Sequence, residues 1–486
     1  MIDIKAVKNR ILEKAIRGEL VPHMGNINQV DKIIDKISVE YLELAKRKET
    51  KISKTAEMNS DEIFEIPENW KWVPLGKLCI MLSRGKSPKY SEEKKYPVFA
   101  QKCNQPYGLE LWKALFLDPD TLEKWPEYLR LRDKDVVINS TGTGTVGRIG
   151  YYTSETLNDN YPFMLPDSHV TVVRMGDGIV SKYIYYVLRS ISLQTIMEKS
   201  FRGSTNQKEF YIDSVYATPI PVPPTEEQVL IVEKLDAVFE QLKVIDGLQQ
   251  QYSSDLEVLK SKIIDAGIQG KLTEQLPEDG TAEELLEQIA EEKKLLIKEK
   301  KIKATKALPE ITEDEIPFEI PDNWKWVRLS EIMDVRDGTH DSPKYVEDGI
   351  PLVTSKNISS GGLDFTNVNY ISQDDANKIN ERSNVDTGDI LFAMIGTIGN
   401  PVIVEKDREF CIKNVALFKN FAKDKLDIRY VYWMLMREQY VMKKKAIGGL
   451  QPFISLKVFR EYPVPLPPIA EQRRIADKLD DVISMC

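Results

Sequence analysis

The chain is poor in the residues that metal and redox chemistry usually need. Its 486 residues include three histidines, His23, His169 and His340, far apart in sequence. Its four cysteines, Cys79, Cys103, Cys411 and Cys486, form no CxxC pair. That scatter argues against a structural zinc site and fits reduced thiols in the cytoplasm. No apolar run approaches the ~18 residues of a membrane span. The segment Met1–Arg10 is charged, so neither a signal nor a transit peptide is expected. Gly85-Lys86-Ser87 resembles the end of a Walker A loop, but Ile80 stands where its first glycine belongs. There is no Asn/Asp-Pro-Pro-Tyr/Phe methyltransferase motif, no convincing PD…ExK cluster and no G-x-S-x-G elbow. Gly142, Gly144 and Gly147 fit GxGxxG, yet Arg148–Tyr152 continue as strand rather than opening a helix, so a tight hairpin-like turn is expected. No catalytic residue, metal ligand or cofactor site is assigned to this chain.

Charge is unevenly placed. The formal net charge is −9. Residues 64–218 carry 20 Lys+Arg against 18 Asp+Glu, and residues 318–462 carry 20 against 21. The acidity therefore lies in the remaining, helical segments. The two globular segments are near neutral and can carry local basic faces.

What the chain has in abundance is repetition. Phe64–Val73 (FEIPENWKWV) recurs as Phe318–Val327 (FEIPDNWKWV). Ser87–Tyr90 recurs as Ser342–Tyr345, Gly144–Gly147 as Gly396–Gly399, and the proline brake Pro219–Pro224 as Pro463–Pro468. Glu227-Gln228 matches Glu471-Gln472. Between the copies runs a long helix, Thr225 to Gly267, opened by a capping box of Thr225 and Gln228. Its apolar seam is Ile231, Leu235, Val238, Leu242, Ile245, Tyr252, Leu256, Leu259, Ile263 and Ala266, about five heptads and roughly 60 Å long. The second copy of this helix stops at Cys486, and its missing half matches the other end of the chain. Ile4, Val7 and Ile11 answer to Leu256, Leu259 and Ile263, and Ile16–Leu20 to Ile268–Leu272. Only Lys243–Tyr252 has no counterpart, so the helix pair either tolerates that gap or the chain has been shortened. The expectation is a circular two-fold repeat cut within one helix, with the two long helices antiparallel. Charged helices are expected from about Asn28 to Lys54 and from Thr281 to Ala307.

The fold class expected is α+β, with two α/β globular segments separated by two long helical regions. The divisions are 1–63 helical, 64–218 globular, 219–317 helical spacer, 318–462 globular and 463–486 helical. Strands are expected at Asp135–Asn139, His169–Arg174, Asp389–Ala393 and Asn414–Phe418, and helices at Ser181–Lys199 and Asp427–Lys445. The loops 100–132 and 355–385 share little, which suggests one task on two targets. Trp70/Trp72 and Trp324/Trp326, two apart, are expected on one strand face, packed in the core rather than stacked on bases.

Turn segments rich in Lys, Arg, Ser, Thr, Asn and Gln occur at matching places in both copies. Such loops offer donors to phosphates and reach base edges. The first copy supplies Arg84, Lys86, Ser87, Lys89, Gln101, Lys102, Asn104, Thr143, Arg148, Arg202, Ser204, Asn206, Gln207 and Lys208. The second supplies Arg336, Thr339, His340, Lys344, Lys356, Asn357, Thr397, Lys413, Gln451 and Lys457.

Taken together, the paired W-x-W entries, the Gly-Thr-Val/Ile-Gly turns, the Gly…Gln segments, the Pro-x-Pro-Pro-x-x-Glu-Gln helix starts and the circular repeat resemble the specificity subunits of type I restriction–modification enzymes over essentially the whole chain. The resemblance implies two target-recognition domains, each reading one half of a bipartite, asymmetric DNA site, and an antiparallel coiled coil that sets the gap. It implies a subunit that does no chemistry itself. Two methyltransferase subunits and the restriction/translocase subunits would be its partners, with S-adenosylmethionine, ATP and Mg2+ held there, and double-stranded DNA its ligand. A coiled-coil scaffold with two protein-binding domains is the competing expectation. Salt-sensitive binding to duplex DNA separates the two.

Overall fold

The computed structural model describes residues 1–58, 63–157, 160–203, 208–304, 307–359, 362–444 and 453–486. The chain divides into two compact units, Met1–Gln250 and Gln251–Cys486. The division falls inside one helix, Thr225–Ile268. Each unit therefore owns one globular part and its own set of helices.

In the first unit the globular part has two four-stranded sheets. The inner sheet runs, in spatial order, Cys79–Arg84, Val170–Met175, Val136–Asn139 and Ile149–Tyr151, all antiparallel. The outer sheet runs Tyr90–Ser91, Leu115–Leu117, Pro97–Phe99 and Leu165–Pro166, with a parallel last pair. The second unit repeats both orders. Its inner sheet is Asp334–Asp337, Val415–Lys419, Ile390–Ala393 and Gly399–Ile403. Its outer sheet is Tyr345–Val346, Asn369–Ile371, Ile350–Val353 and Cys411–Ile412, again with a parallel last pair. The four strands expected from β-branched runs are present within a residue or two. The stretches that differ do so in kind. After a short hairpin, the first copy continues in 3-10 turns such as Pro119–Lys124, whereas the second forms the helix Gln373–Ser383.

The entry and exit of each globular part are tied together. Lys71–Pro74 pairs antiparallel with Pro219–Val222, and Lys325–Arg328 with Pro463–Leu466. The proline-rich runs expected only as brakes are thus edge strands, where a missing N–H costs least. The tryptophans do not share a strand face. The strand begins at Lys71, so Trp70 lies before it, buried, and Trp72 packs edge-on against Phe64 at 4.9 Å. Trp324 and Trp326 repeat this, with Phe318 at 5.0 Å.

The Glu-Gln motif at the helix start explains the repeat physically. Glu227, fully buried, accepts from Trp70 Nε1 (2.9 Å), Asn69 Nδ2 (2.8 Å) and the Met24 N–H (3.1 Å), with His23 Nδ1 at 3.0 Å. Glu471 accepts from Trp324 Nε1 (2.8 Å), Gln275 Nε2 (2.8 Å) and Thr273 Oγ1 (3.2 Å). Gln228 accepts from the Val180 N–H and donates to the Pro223 carbonyl, as Gln472 does with Asp427 and Pro467. The capping box expected of Thr225 and Gln228 is therefore not formed. Thr225 Oγ1 donates instead to the Gly178 carbonyl at 2.7 Å. Tertiary bonds have taken both side chains from the helix end.

Within the first unit, the helix Ile4–Ile16 runs antiparallel beside the start of the long helix. Gln249 Nε2 donates to the Ile2 carbonyl (3.1 Å), Lys8 lies over Phe239, and Leu12 and Ile16 join the core of Ile231 and Leu235. Within the second unit, the helix Ile469–Ser484 runs antiparallel beside the end of the long helix. A Cβ on Gly267 would meet Leu479 at 3.1 Å, and Gln275 reaches Glu471. The first end of the expected apolar seam is buried at Ile231, Leu235 and Leu242, but Tyr252 is 63% exposed and Leu259 48%, and at the far end Ile264 and Ile268 are buried rather than the half-buried Ile263 and Ala266. Tyr252 and Leu259 fall in the stretch where the seam was read from spacing alone. The charged helices are shorter than expected, Ile27–Lys46 and Ala282–Lys298.

Candidate nucleic-acid interface

Antiparallel sheet order puts three loops of each globular part at one end of its inner sheet. In the first unit, strand Cys79–Arg84 ends there, Val136–Asn139 ends there, and Ile149–Tyr151 and Val170–Met175 begin there. The loops after Arg84, between Asn139 and Ile149, and before Val170 therefore converge. Arg202, Glu209 and Phe210 join them, because Thr141 and Arg202 bridge to Glu209 and the Phe210 N–H donates to the Ser140 carbonyl. The GxGxxG stretch is the turn of a hairpin, with positive φ at Gly142, Gly144 and Gly147. This is the expected hairpin-like turn.

Five of the residues expected to face nucleic acid face the protein instead. Arg84 donates to Glu209 Oε1 (2.6 Å) and the Phe210 carbonyl. Arg148 donates to the Asn104 carbonyl at 2.7 Å. Asn104 is buried and holds Asn139 and the Arg148 carbonyl. Arg336 donates to Asp334 and the Arg382 carbonyl. Asn357 is buried and donates to the Asp364 and Asn367 carbonyls. Each fixes a loop, because a buried amide or guanidinium must find partners among backbone carbonyls. Ser204, Asn206, Gln207 and Gln451 lie outside the described residues.

The others lie on loops or turns of their part. Lys86 donates to the Lys124 carbonyl, Ser87 Oγ to Ser168 Oγ (3.2 Å), and Lys89 pairs with Asp118 at 2.7 Å. That pairing raises the Lys89 ammonium and lowers the Asp118 carboxyl from their usual values. Gln101 touches the hairpin turn through Thr145, and Lys102, Thr143, Arg202 and Lys208 are exposed. Arg202 lies over Tyr211 and 3.4 Å from Asp213. In the second unit, Thr339, His340 and Lys344 follow the first strand, Thr397 lies in the hairpin turn, Lys413 precedes the central strand and Lys356 is exposed on the turn Ser355–Asn357. Lys457, by contrast, sits on the helix Leu456–Arg460, 3.8 Å from Glu461.

The tightest part of this end is a crossing of two chain segments, built twice on the same three main-chain bonds. In the first unit the Gly85 N–H donates to the Val170 carbonyl (3.0 Å), Lys86 N–H to Pro166 (3.3 Å) and Asp167 N–H to Phe99 (3.0 Å). In the second, Gly338 donates to Val415 (2.9 Å), Thr339 to Ile412 (3.0 Å) and Lys413 to Val353 (2.9 Å). Glycine is required at both crossings. A Cβ at Gly85 would sit 2.0 Å from the Pro166 carbonyl oxygen, and one at Gly338 2.3 Å from that of Ile412. The side chains above this shared frame differ, and so does its length: Ser168 and His169 separate Asp167 from Val170, whereas Asn414 alone separates Lys413 from Val415. The first unit presents Lys86, Ser87, Ser168 and His169 around buried Asp167, whose carboxyl burial pushes up. The second presents Thr339, His340, Lys413 and Asn414. His340 lies between Asp337 Oδ2 and Asn414 Oδ1, both at 2.8 Å, and Lys413 Nζ donates to Ser342 at 2.6 Å. Ser168, His169 and Asn414 are not among the residues expected from the sequence to face nucleic acid. Each stands at the first residue of an expected strand or just before it, and His169 and Asn414 were counted as strand rather than loop.

Outside the crossing, the first unit exposes two aromatics with no counterpart at the matching hairpin of the second. Tyr107 is 76% exposed and Trp112 79%. Both lie on the stretch 104–113, which leans on the glycine turn through Arg148 and Gln105.

Three comparisons agree with this architecture. A family model described as the type I restriction modification DNA specificity domain matches residues 67–251 and 321–486. The chain is 27% identical to the type I restriction enzyme EcoAI specificity subunit of Escherichia coli, over 99% of this chain and 89% of that protein. It is 26% identical to the EcoEI specificity subunit of the same organism, with the same coverage of both. Among solved structures, a chain from a study of complex assembly and conformational transition of the type I R-M system aligns with a TM-score of 0.60 at 19% identity, covering 87% of this chain and 92% of the other. The HsdS subunit of Thermoanaerobacter tengcongensis aligns with a TM-score of 0.50 at 18% identity, covering 88% and 92%. At such identities these two likenesses show the fold. Among the described residues no helix is long and apolar enough to cross a membrane.

Proposed function

The chain belongs to the type I restriction modification DNA specificity family, and from that premise we propose that it is the specificity subunit of such a system, reading duplex DNA with both globular parts. Each part reads one half of a split, asymmetric site. The observation that carries this reading is one sheet frame built twice, with unlike polar and basic loops gathered at the same end of each. Main-chain bonds fix register, and loop side chains specify.

The two globular parts correspond to target-recognition domains, 64–218 and 318–462. The helices 1–63, 219–317 and 463–486 form the spacer. Its antiparallel coiled coil pairs the long helix with a composite partner made of the chain's last and first helices, in a circular pseudo-two-fold arrangement. Two readers at a fixed distance and rotation accept half-sites of one spacing only. Supporting this are the antiparallel runs inside each unit and the equal treatment of Glu227 and Glu471. The acidic helices suit protein partners, two methyltransferase subunits and the restriction/translocase subunits. The chain itself performs no catalysis and carries no cofactor. S-adenosylmethionine, ATP and Mg2+ belong to the partners, and the assembly is cytoplasmic.

Methylome sequencing of cells holding a cognate methyltransferase, with and without this chain, tests the reading. One split, adenine-methylated motif that depends on the chain is the expected result. No chain-dependent motif, with the complex shown to assemble, favours the coiled-coil scaffold with two protein-binding domains. Deleting one heptad within Leu242–Leu256 tests the spacer separately: the accepted gap should change and both half-sites persist.

A further inference from the structure

The crossing described above separates what the fold must keep from what it can change. Its main chain is tied in both units by the same three hydrogen bonds and the same glycine contact. Those shared bonds involve no side chain. We propose that the crossing is the base-reading element of each globular part, with Ser87, Ser168 and His169 reading one half-site and His340, Lys413 and Asn414 the other. The proposal rests on the reading of the chain as a DNA specificity subunit.

Three features support the assignment. First, the residues are exposed or half-exposed at the loop end of a rigid sheet. A reading group must be accessible and held, and strand ends hold better than free loops. Second, the side chains orient one another: Ser87 with Ser168 at 3.2 Å, His340 with Asn414 at 2.8 Å, Lys413 with Ser342 at 2.6 Å. Third, their chemistry is that of base edges. Lysine and histidine can address guanine N7 and O6, asparagine adenine N6 and N7, and serine either. The two sets offer different donor and acceptor patterns on one backbone, which is what two unlike half-sites demand.

Exchange of the matched residues tests this. His340→Ser and Ser87→His are made singly in the full chain and expressed with its methyltransferase, and the methylated motif is sequenced. Each variant should lose about tenfold discrimination or more at one or two bases of a single half-site. The two variants should affect opposite halves, with the other half and the spacing kept. Unchanged motifs in both variants would overturn the proposal. So would loss of both halves together in either one, which would mark the crossing as structural support. Should His340→Ser not accumulate as folded protein, His340→Gln keeps a polar group there and must still alter one half-site. Absence of any chain-dependent motif with the parent chain would overturn the DNA reading itself.

Discussion

The two globular parts share a skeleton and disagree on charge. Where the first has Arg84, paired with Glu209, the second has buried Asp337, paired with Arg382 and His340. Where the first buries Asp167, the second carries Lys413. Arg84 and Asp337 are met by opposite charges, whereas Asp167 accepts the His169 N–H and Lys413 donates to Ser342. Deeper in the sheet the choice is the same but the chemistry is not. Arg174 grips Asp135 with two parallel bonds, 2.8 and 2.7 Å, and also holds the Tyr128 and Arg130 carbonyls. At the same place Lys419 reaches Asp389 at 2.6 Å and Asp386 at 2.8 Å. Burial pushes both Asp135 and Asp389 up against the pull of their cations. The lesson is that backbone hydrogen bonds and apolar packing carry the frame, while each ion pair is a separate solution fitted to it.

The largest test of that division is to remove the buried cations. Arg174→Met should lower the unfolding free energy of the first unit by about 3–5 kcal/mol, because the Asp135 carboxylate is left buried without a partner. Lys419→Met should cost the second unit less, since Lys419 is 16% exposed and Asp389 7%, against 10% and 1% for Arg174 and Asp135. Urea denaturation of the full chain followed by circular dichroism measures both, and equal losses would break the distinction. Next come the acceptors that the two units share. Glu227→Ala and Glu471→Ala should each cost about 3 kcal/mol by stranding a buried indole N–H and its neighbours. Here the two effects should match, as seen by calorimetry, because the motif does the same work twice. Smaller still, Gly85→Ala and Gly338→Ala force a Cβ onto a carbonyl oxygen and should cost about 1–3 kcal/mol each. Each should also weaken recognition of one half-site only, read from the methylated motif.

Much of the frame was legible because it repeats. Trp70, Gly144, Glu227 and their counterparts announced two copies, and β-branched runs such as Val170–Met175 announced the strands. The exposed middle of the long helix was not legible, because apolar spacing at Tyr252 and Leu259 does not say whether a neighbour is present. Nor were the roles of Thr225 and Gln228, since a tertiary acceptor for the one and a tertiary donor for the other displace the local cap. At the candidate interface, residue type picked out several loops that the sheet order gathers at one end, and several side chains that the protein itself engages. Arg84, Asn104 and Asn357 have the chemistry to contact DNA, but buried carbonyls and carboxylates reach them first. Asn414 and His169 went unnoticed because the first residue of a strand and the last of a loop look alike in sequence.

The smallest contrast lies at the entry strand, and acid should expose it. Arg328 in the second unit takes the place that Pro74 holds in the first, since both close the pairing with the proline run, opposite Pro463 and Pro219. Arg328 binds Glu315 through both guanidinium nitrogens, at 2.7 and 2.8 Å, while Thr312 adds its N–H and hydroxyl at 3.2 Å. The Arg328 hydrogen bonds hold the Glu315 carboxyl down, from its ordinary 4.5 to about 2. A depressed acid contributes stability above its unfolded value and loses it as pH falls through the folded one. The pair should thus support the second unit above pH 4.5 and fade toward pH 2. Because Glu315 is 35% exposed, solvent screening keeps the effect below about 1 kcal/mol. Urea melts of the full chain at about pH 5 and about pH 3 should show Glu315→Gln destabilising the second unit at the higher pH and by less than about half as much at the lower. The first unit, with proline at that place, should not respond at either pH. An equal loss at both would mean that Arg328 holds Glu315 through shape alone, and charge would drop out of the contrast.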